Sequence, residues 1–265
     1  MWIDSHCHLN HKNLSKLGEL DEIIAAAHEA KVDKMLTICC EIHREYEALK
    51  EIAEKYDIWA TVGTHPHDAA HEAEMEYTTA DIVNFAKHPR IVGIGETGLD
   101  YFYKHAPKEE QHENFRKHIR AAIETELPLI IHTRDSDVDI IRLLKEEGQG
   151  DKRLKGVFHC FSGGLDLAEA GLALDFYISF SGIVTFEKAG ELRDVARAMP
   201  VEKILVETDS PYLAPVPLRG KVNQPANVVR TGEMVAQLKQ MPVADFAKQT
   251  SDNFYELFSK AKKVA

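Results

Sequence analysis

Two patterns of apolar residues alternate along this chain. Short, near-continuous apolar runs lie at 2–8, 33–39, 58–64, 91–96, 128–132, 156–160, 175–181 and 202–208, as expected of strands covered on both faces. Between them, Leu20 to His28, Tyr46 to Tyr56, Thr79 to Lys87 and Glu109 to Glu124 carry apolar positions at helical spacing. Asp135-Ser136-Asp137 offers N-caps and first-turn acids to a helix bearing Ile140, Ile141, Leu143 and Leu144, which Gly148 and Gly150 close. Two further helices, at 225–239 and 242–260, have Pro225 and Pro242 near their starts. Strand and helix recur roughly every 30 residues, the length of a βαβ unit. Eight such strands close a parallel barrel, so the expected fold class is α/β, a single (β/α)8 TIM barrel filling one domain, 1–265. No low-complexity linker, internal repeat or long charge block interrupts it.

The polar residues that end these runs carry the chemistry. His6 and His8 end the first, Glu96 the fourth, His132 the fifth, His159 the sixth, and Asp209 follows the eighth. Imidazoles and carboxylates are the donors a catalytic divalent metal needs, and a parallel barrel gathers its strand ends into one mouth. His6 and His8, two apart, share a strand face and chelate one ion, while Cys7 points away. Glu96 bridges two metals through its two oxygens. One site is then His6, His8, Glu96 and Asp209, the other Glu96, His132 and His159, with open positions for water and substrate. Paired metals roughly 3.5–4 Å apart stabilise the attacking and leaving oxygens of a displacement at phosphorus. Asp209 serves as general base toward the acidified water, which makes Asp209 and Glu96 the catalytic candidates. Six ionisable groups buried together without ions would be costly.

Composition narrows the picture. The 265 residues are 44% hydrophobic, enough for one barrel core. The net charge of −11 argues against a broad basic face for duplex DNA, though not against a nucleic-acid end entering a small metal-lined pocket. Four cysteines lie in predicted strands without C-x-x-C spacing and read as reduced, buried thiols. No apolar stretch approaches the ~20 residues that span a bilayer. The chain reaches Asp4 and His6 without a charged-then-apolar leader, which sets the expectation of a cytoplasmic protein. No apolar stripe is left over, so a monomer is expected.

Several blocks, in order, resemble the TatD family of metal-dependent deoxyribonucleases, among the amidohydrolase-like barrels. They are Asp4-Ser5-His6-Cys7-His8-Leu9, Gly63-Thr64-His65-Pro66-His67, Gly93 to Asp100, Ile130 to Asp135, His159-Cys160-Phe161-Ser162-Gly163, Ile178 to Gly182 and Val206 to Leu213, with Arg219-Gly220-Lys221 and Asn253-Phe254 completing the match. The resemblance spans essentially the whole chain. It implies a (β/α)8 barrel, the same six ligands, and hydrolysis of phosphodiester bonds, typically of single-stranded DNA trimmed from the 3′ end. Many related barrels bridge their metals with a carbamylated lysine. The strand ends here offer none, which separates the chain from dihydroorotase- and urease-like relatives. One departure is Gln224, where the family often has an acid.

Around the mouth, His65 is expected to contact the substrate phosphate. Arg134, Arg219 and Lys221 are expected to bind phosphate oxygens, and Tyr101 with Phe102 to stack a terminal base. Glu207 and Asp4, in step with Asp209 and His6, are expected to orient ligands from behind. Two divalent cations are implied. The family is usually described as magnesium-dependent, with manganese the other functional candidate, whereas four histidines suit softer ions and a crystal would readily hold zinc. The leading expectation is a 3′-5′ exonuclease on single-stranded DNA. The alternatives are an ester or amide hydrolase on the same metals, such as an aminoacyl-tRNA deacylase, and an interaction protein that retains a metal site.

Overall fold

Burial on both faces draws the eight apolar runs into one parallel sheet. In the computed structural model, which describes residues 1–263, the strands are β1 (Trp2–Cys7), β2 (Val32–Thr37), β3 (Trp59–Val62), β4 (Ile91–Asp100), β5 (Leu129–Arg134), β6 (Gly156–Phe158), β7 (Tyr177–Phe180) and β8 (Ile204–Val206). Their order in the sheet is their order in the chain, as in a TIM barrel. The ends meet where Asp209 N donates to His6 O (2.9 Å) and His8 N to Ser210 O (2.8 Å). The helices are α1 (Leu20–Glu29), α2 (Ile42–Lys55), α3 (Glu72–Glu76), α4 (Thr79–Phe85), α5 (Lys108–Thr125), α6 (Asp137–Gly148), α7 (Leu165–Ala173), α8 (Gly190–Ala198), α9 (Val228–Leu238) and α10 (Val243–Leu257). Among the described residues no helix is long and apolar enough to cross a membrane.

Helical spacing in the sequence does not reveal α7 and α8, because nine residues give little more than two turns of period. Strand ends also moved. β4 runs four residues past Glu96, to Asp100, because a register shift between Ile94 and Thr97 lets it continue along β5. Such bulges re-aim side chains at barrel rims. β1 likewise shifts register between Asp4 and Cys7. Ser5 bonds to Ser179 Oγ (3.2 Å) and Val206 O (3.0 Å), and His6 and His8 follow at the tip. β6 stops before His159 and β8 before Glu207. Beyond them Cys160 and Asp209 adopt φ of 41° and 53°, a left-handed turn that takes the chain off the sheet.

Two apolar clusters hold the barrel. The larger lies between strands and helices, with Phe115, Phe158, Phe176 and Phe246 fully buried. The smaller joins Ile3, Leu36, Trp59, Val92, Ile130 and Val157 to Phe254, Leu257 and Phe258 of α10. Trp59 and Phe254 lie 5.3 Å apart and Phe254 stacks on Phe258 at 4.6 Å. Apolar packing thus fills the end of the barrel that α10 covers, and the polar strand ends gather at the other. Gly98 is needed where β4 passes β5: at φ 141° a Cβ there would lie 2.0 Å from His132 O.

α5 fixes the loop after β3. His118 Nε2 accepts from Thr64 N (3.0 Å), its Nδ1 donates to Asn114 O (2.8 Å), and Asn114 Nδ2 donates to Thr64 O (2.9 Å). Burial pushes the His118 imidazole down to about 4, and protonating Nε2 would abolish its acceptor role. A folded value below the unfolded one means stability fully present above about pH 6.5 and lost as pH falls through 4. The loss amounts to about 3 kcal/mol. Urea midpoints of the wild type should therefore fall between pH 6.5 and 4 more steeply than those of His118→Gln, which keeps an acceptor and a donor. Parallel profiles would remove His118 from the acid response.

Candidate metal centre

The strand ends bring ten polar side chains together. From β1, His6 Nε2 and His8 Nε2 lie 3.3 Å apart. Asp209 Oδ1 stands 3.2 Å from His8 and 3.7 Å from His6. Glu96 Oε2 is 3.3 Å from His6 and 4.0 Å from His8. A tetrahedral ion with bonds of about 2.1 Å spaces its donors about 3.4 Å apart, so His6, His8 and Asp209 fit a common cation, with Glu96 Oε2 beside the two histidines. Glu96 Oε1 turns the other way, 2.7 Å from His159 Nε2, 2.9 Å from His132 Nδ1 and 3.3 Å from His65 Nε2.

Further side chains stand behind the histidines. His159 Nδ1 faces Glu207 Oε1 at 3.3 Å, and that oxygen also accepts from Cys160 N at 2.7 Å. His132 Nε2 faces Asp100 Oδ2 at 3.1 Å, which His67 Nε2 reaches at 2.8 Å. Each carboxylate holds one ring nitrogen and leaves the other for the centre, the support metal-binding histidines usually have. His6 stacks on His159 at 3.9 Å, and its buried Nδ1 has no partner.

The electrostatics suit cations. No lysine or arginine among the described residues pairs with Glu96, Asp100, Glu207 or Asp209; only imidazoles do. Burial would raise the Glu96 carboxyl, but His159, His65 and the hydrogen bonds from His132 and His159 hold it well below its ordinary value. Asp209 is lowered too, against its burial, by His8 and His6. In return, Glu96 and Glu207 overcome burial to raise His159, Asp100 and Glu96 raise His132, and Asp209 raises His8. Divalent ions would replace those protons as the counter-charge.

The other expected residues fall as follows. His65 lies deeper than the mouth, in a group with Glu96 and His132, whereas His159 groups with His6 and Glu207. Its Nδ1 accepts from His67 N at 3.1 Å, which puts its proton on Nε2 and presents an N–H to the centre. Burial lowers it to about 4, so it is neutral. Asp4 does not support an imidazole: Thr208 Oγ1 (2.6 Å) and Thr208 N (2.9 Å) donate to it, and it ties β1 to the turn before Asp209. Tyr101 is not free to stack a base. Its hydroxyl donates to Asp139 (2.7 Å) and accepts from His112 (2.5 Å), and Lys108 Nζ covers the ring at 3.6 Å. Arg134, Arg219 and Lys221 are exposed, without carboxylate partners among the described residues. Arg134 rests on Phe102 and Arg219 on Phe186, each at 4.5 Å.

The sequence pattern does not single out Asp100, His67 or Cys40 as members of this centre. Asp100 is in step with Glu96 on β4, a signal visible only if the strand is read to its full length. Cys40, read as a buried structural thiol, brings Sγ to 3.8 Å from His8 Nδ1 and 3.9 Å from Glu96 Oε2.

Comparison with known proteins adds independent support. The family model described as TatD related DNase matches residues 3–259. The chain is 41% identical over 257 residues to the uncharacterized metal-dependent hydrolase YcfH of Escherichia coli (strain K12), covering 97% of this chain and 95% of that protein. It is 33% identical over 247 residues to the 3′-5′ ssDNA/RNA exonuclease TatD of Shigella flexneri, covering 91% and 93%. The crystal structure of the TatD homologue YJJV from Escherichia coli superposes with a TM-score of 0.82 at 26% identity, covering 97% of this chain and 98% of that one.

If Glu207 orients His159, Glu207→Gln keeps the hydrogen-bond acceptor and removes the charge. Mn2+ affinity, measured by calorimetry, should then fall about tenfold or more for the weaker-bound ion. An unchanged isotherm would sever Glu207 from metal binding.

Proposed function

The chain belongs to the TatD-related DNase family, and we propose that it is a two-metal phosphodiesterase that shortens single-stranded DNA from its 3′ end. The observation that carries this reading is the split of Glu96, one oxygen toward His6 and the other toward His132 and His159. In it, His6, His8 and Asp209 would hold one divalent ion and His132 and His159 a second, with Glu96 between them to serve both. Mg2+ or Mn2+ is the working ion, and Zn2+ would also suit the histidines. The chemistry such ions supply when bound is acidification of water and neutralisation of phosphate charge.

The protein's own groups divide the remaining work. Asp209, 14% exposed against 3% for Glu96, is the carboxylate that solvent reaches. Lowered from its ordinary value, it is an anion at neutral pH, ready to take the proton of the attacking water. Neutral His65 offers its Nε2–H to a phosphate oxygen. Arg134, the last residue of β5, and Arg219 and Lys221, on the loop after β8, have no carboxylate partner among the described residues and hold phosphate oxygens by charge-assisted hydrogen bonds. Those cations favour a nucleic-acid substrate over a small ester, since phosphates flank the scissile bond of a DNA end and the ester of an aminoacyl-tRNA alike. The substrate is a nucleic-acid end, the protein acts as a monomer in the cytoplasm, and residues 1–265 form one functional unit.

A 5′-labelled single-stranded DNA oligomer with Mg2+ or Mn2+ should give a ladder shortening from the 3′ end, abolished by EDTA. Asp209→Asn should lower kcat by about 10²–10⁴-fold. Arg134→Ala and Arg219→Ala should each raise KM several-fold. An intact oligomer with fully metal-loaded enzyme would discard DNA as substrate and turn attention to carboxylic esters.

A further inference from the structure

Most arginines in this acidic chain meet a carboxylate, as Arg116 meets Glu146 and Arg142 meets Asp139. Arg134 instead lies over two aromatic rings, 4.5 Å from the centre of Phe102 and 5.5 Å from that of Tyr103. Those rings pack edge to face at 4.8 Å and remain 52% and 53% exposed. The hydroxyl bonds that anchor the loop belong to the preceding residue, Tyr101, through Asp139 and His112, while Tyr103 also packs on His105 at 5.9 Å. Leaving two large rings half in water forgoes apolar burial, a pattern that marks a contact surface.

One carboxylate ties this surface to the metal centre. Asp100 Oδ1 accepts from Phe102 N and Tyr103 N, both at 2.9 Å. Its Oδ2 accepts from His132 Nε2 at 3.1 Å and from His67 Nε2 at 2.8 Å. His67 in turn lies against Tyr103, ring centres 5.4 Å apart. The rings therefore stand in a fixed relation to His132, whose other nitrogen meets Glu96.

We propose that Phe102, Tyr103 and Arg134 form a nucleobase-stacking platform that seats the 3′-terminal base while its phosphate lies over the metal centre. Aromatic faces and guanidinium planes both stack bases, without regard to sequence. Arg134 has a double role, its plane toward the base and its N–H edge toward phosphate. The inference rests on the nuclease reading above and narrows it to substrates whose leaving nucleotide carries a base.

The test compares two single-stranded DNA oligomers that differ only in their last nucleotide, normal or abasic. Metal-loaded wild type should release the normal nucleotide with kcat/KM at least about fivefold above the abasic one. Phe102→Leu and the double variant Phe102→Leu/Tyr103→Leu should bring that ratio toward one, with bound metal measured alongside to verify the fold. Arg134→Lys, which keeps charge but loses the plane, should lower the ratio too, whereas Arg219→Ala should slow both oligomers alike. Equal rates for the wild type, or an unchanged ratio in the leucine variants, would overturn the platform and leave the nuclease standing. No cleavage of either oligomer would overturn the nuclease reading, and the platform with it.

Discussion

The buried carboxylate of Glu96 is the interaction around which the active end of this barrel is arranged. It sits 3% exposed among imidazoles, one oxygen toward His6 and the other toward His132, His159 and His65. An anion so placed must be compensated, and this protein compensates it with nothing but groups that also bind metals. The bulge in β4 gives Glu96 this aim. Without that register shift between Ile94 and Thr97, the strand could not present Glu96 to the centre and still pair with β5 as far as Asp100. Gly98 is the accompanying constraint, since only a residue without Cβ clears His132 O.

The two ends of the barrel divide stability from chemistry. α10 fills one end with Phe254, Leu257 and Phe258 against Trp59 and the inner strand residues. A close-packed apolar plug holds the strands in register, although it leaves the buried Trp59 Nε1 without a hydrogen-bond partner among the described residues. The other end trades packing for function. There β6 and β8 are only three residues long, and Cys160 and Asp209 turn through positive φ. Aspartate tolerates that conformation better than most residues, so the turn that lifts Asp209 toward solvent suits its side chain.

Much of this is legible in the sequence alone. Eight apolar runs identified eight strands, because a strand buried on both faces has little choice of residue. The six ionisable ends stood out because each follows such a run. Strand parity failed where the register shifts. Asp4 was read as a support for a ligand, and the shift in β1 turns it to Thr208 instead. Asp100 escaped notice because β4 was ended at Glu96. Tyr101 and Phe102 could not be told apart as neighbours in the chain. The partners that immobilise Tyr101, on α5 and α6, come from elsewhere in the fold.

The net charge of −11 and the reading as a nuclease are reconciled by where the unpaired cations lie. Duplex DNA demands a broad basic face, because affinity there comes from many phosphates. A single strand entering end-first demands only that the last phosphates meet positive charge locally. On that reading Arg134 and Arg219 offer that charge at the end of β5 and after β8, each resting on a ring rather than spent on a carboxylate. An arginine paired with glutamate must break that pair to bind phosphate. One resting on a phenylalanine keeps its N–H edge free and is already oriented, so less ordering is left for the moment of binding. On the nuclease reading, the acidity of the remaining surface would act as a filter, repelling the length of a duplex while a metal-loaded mouth would still admit an end.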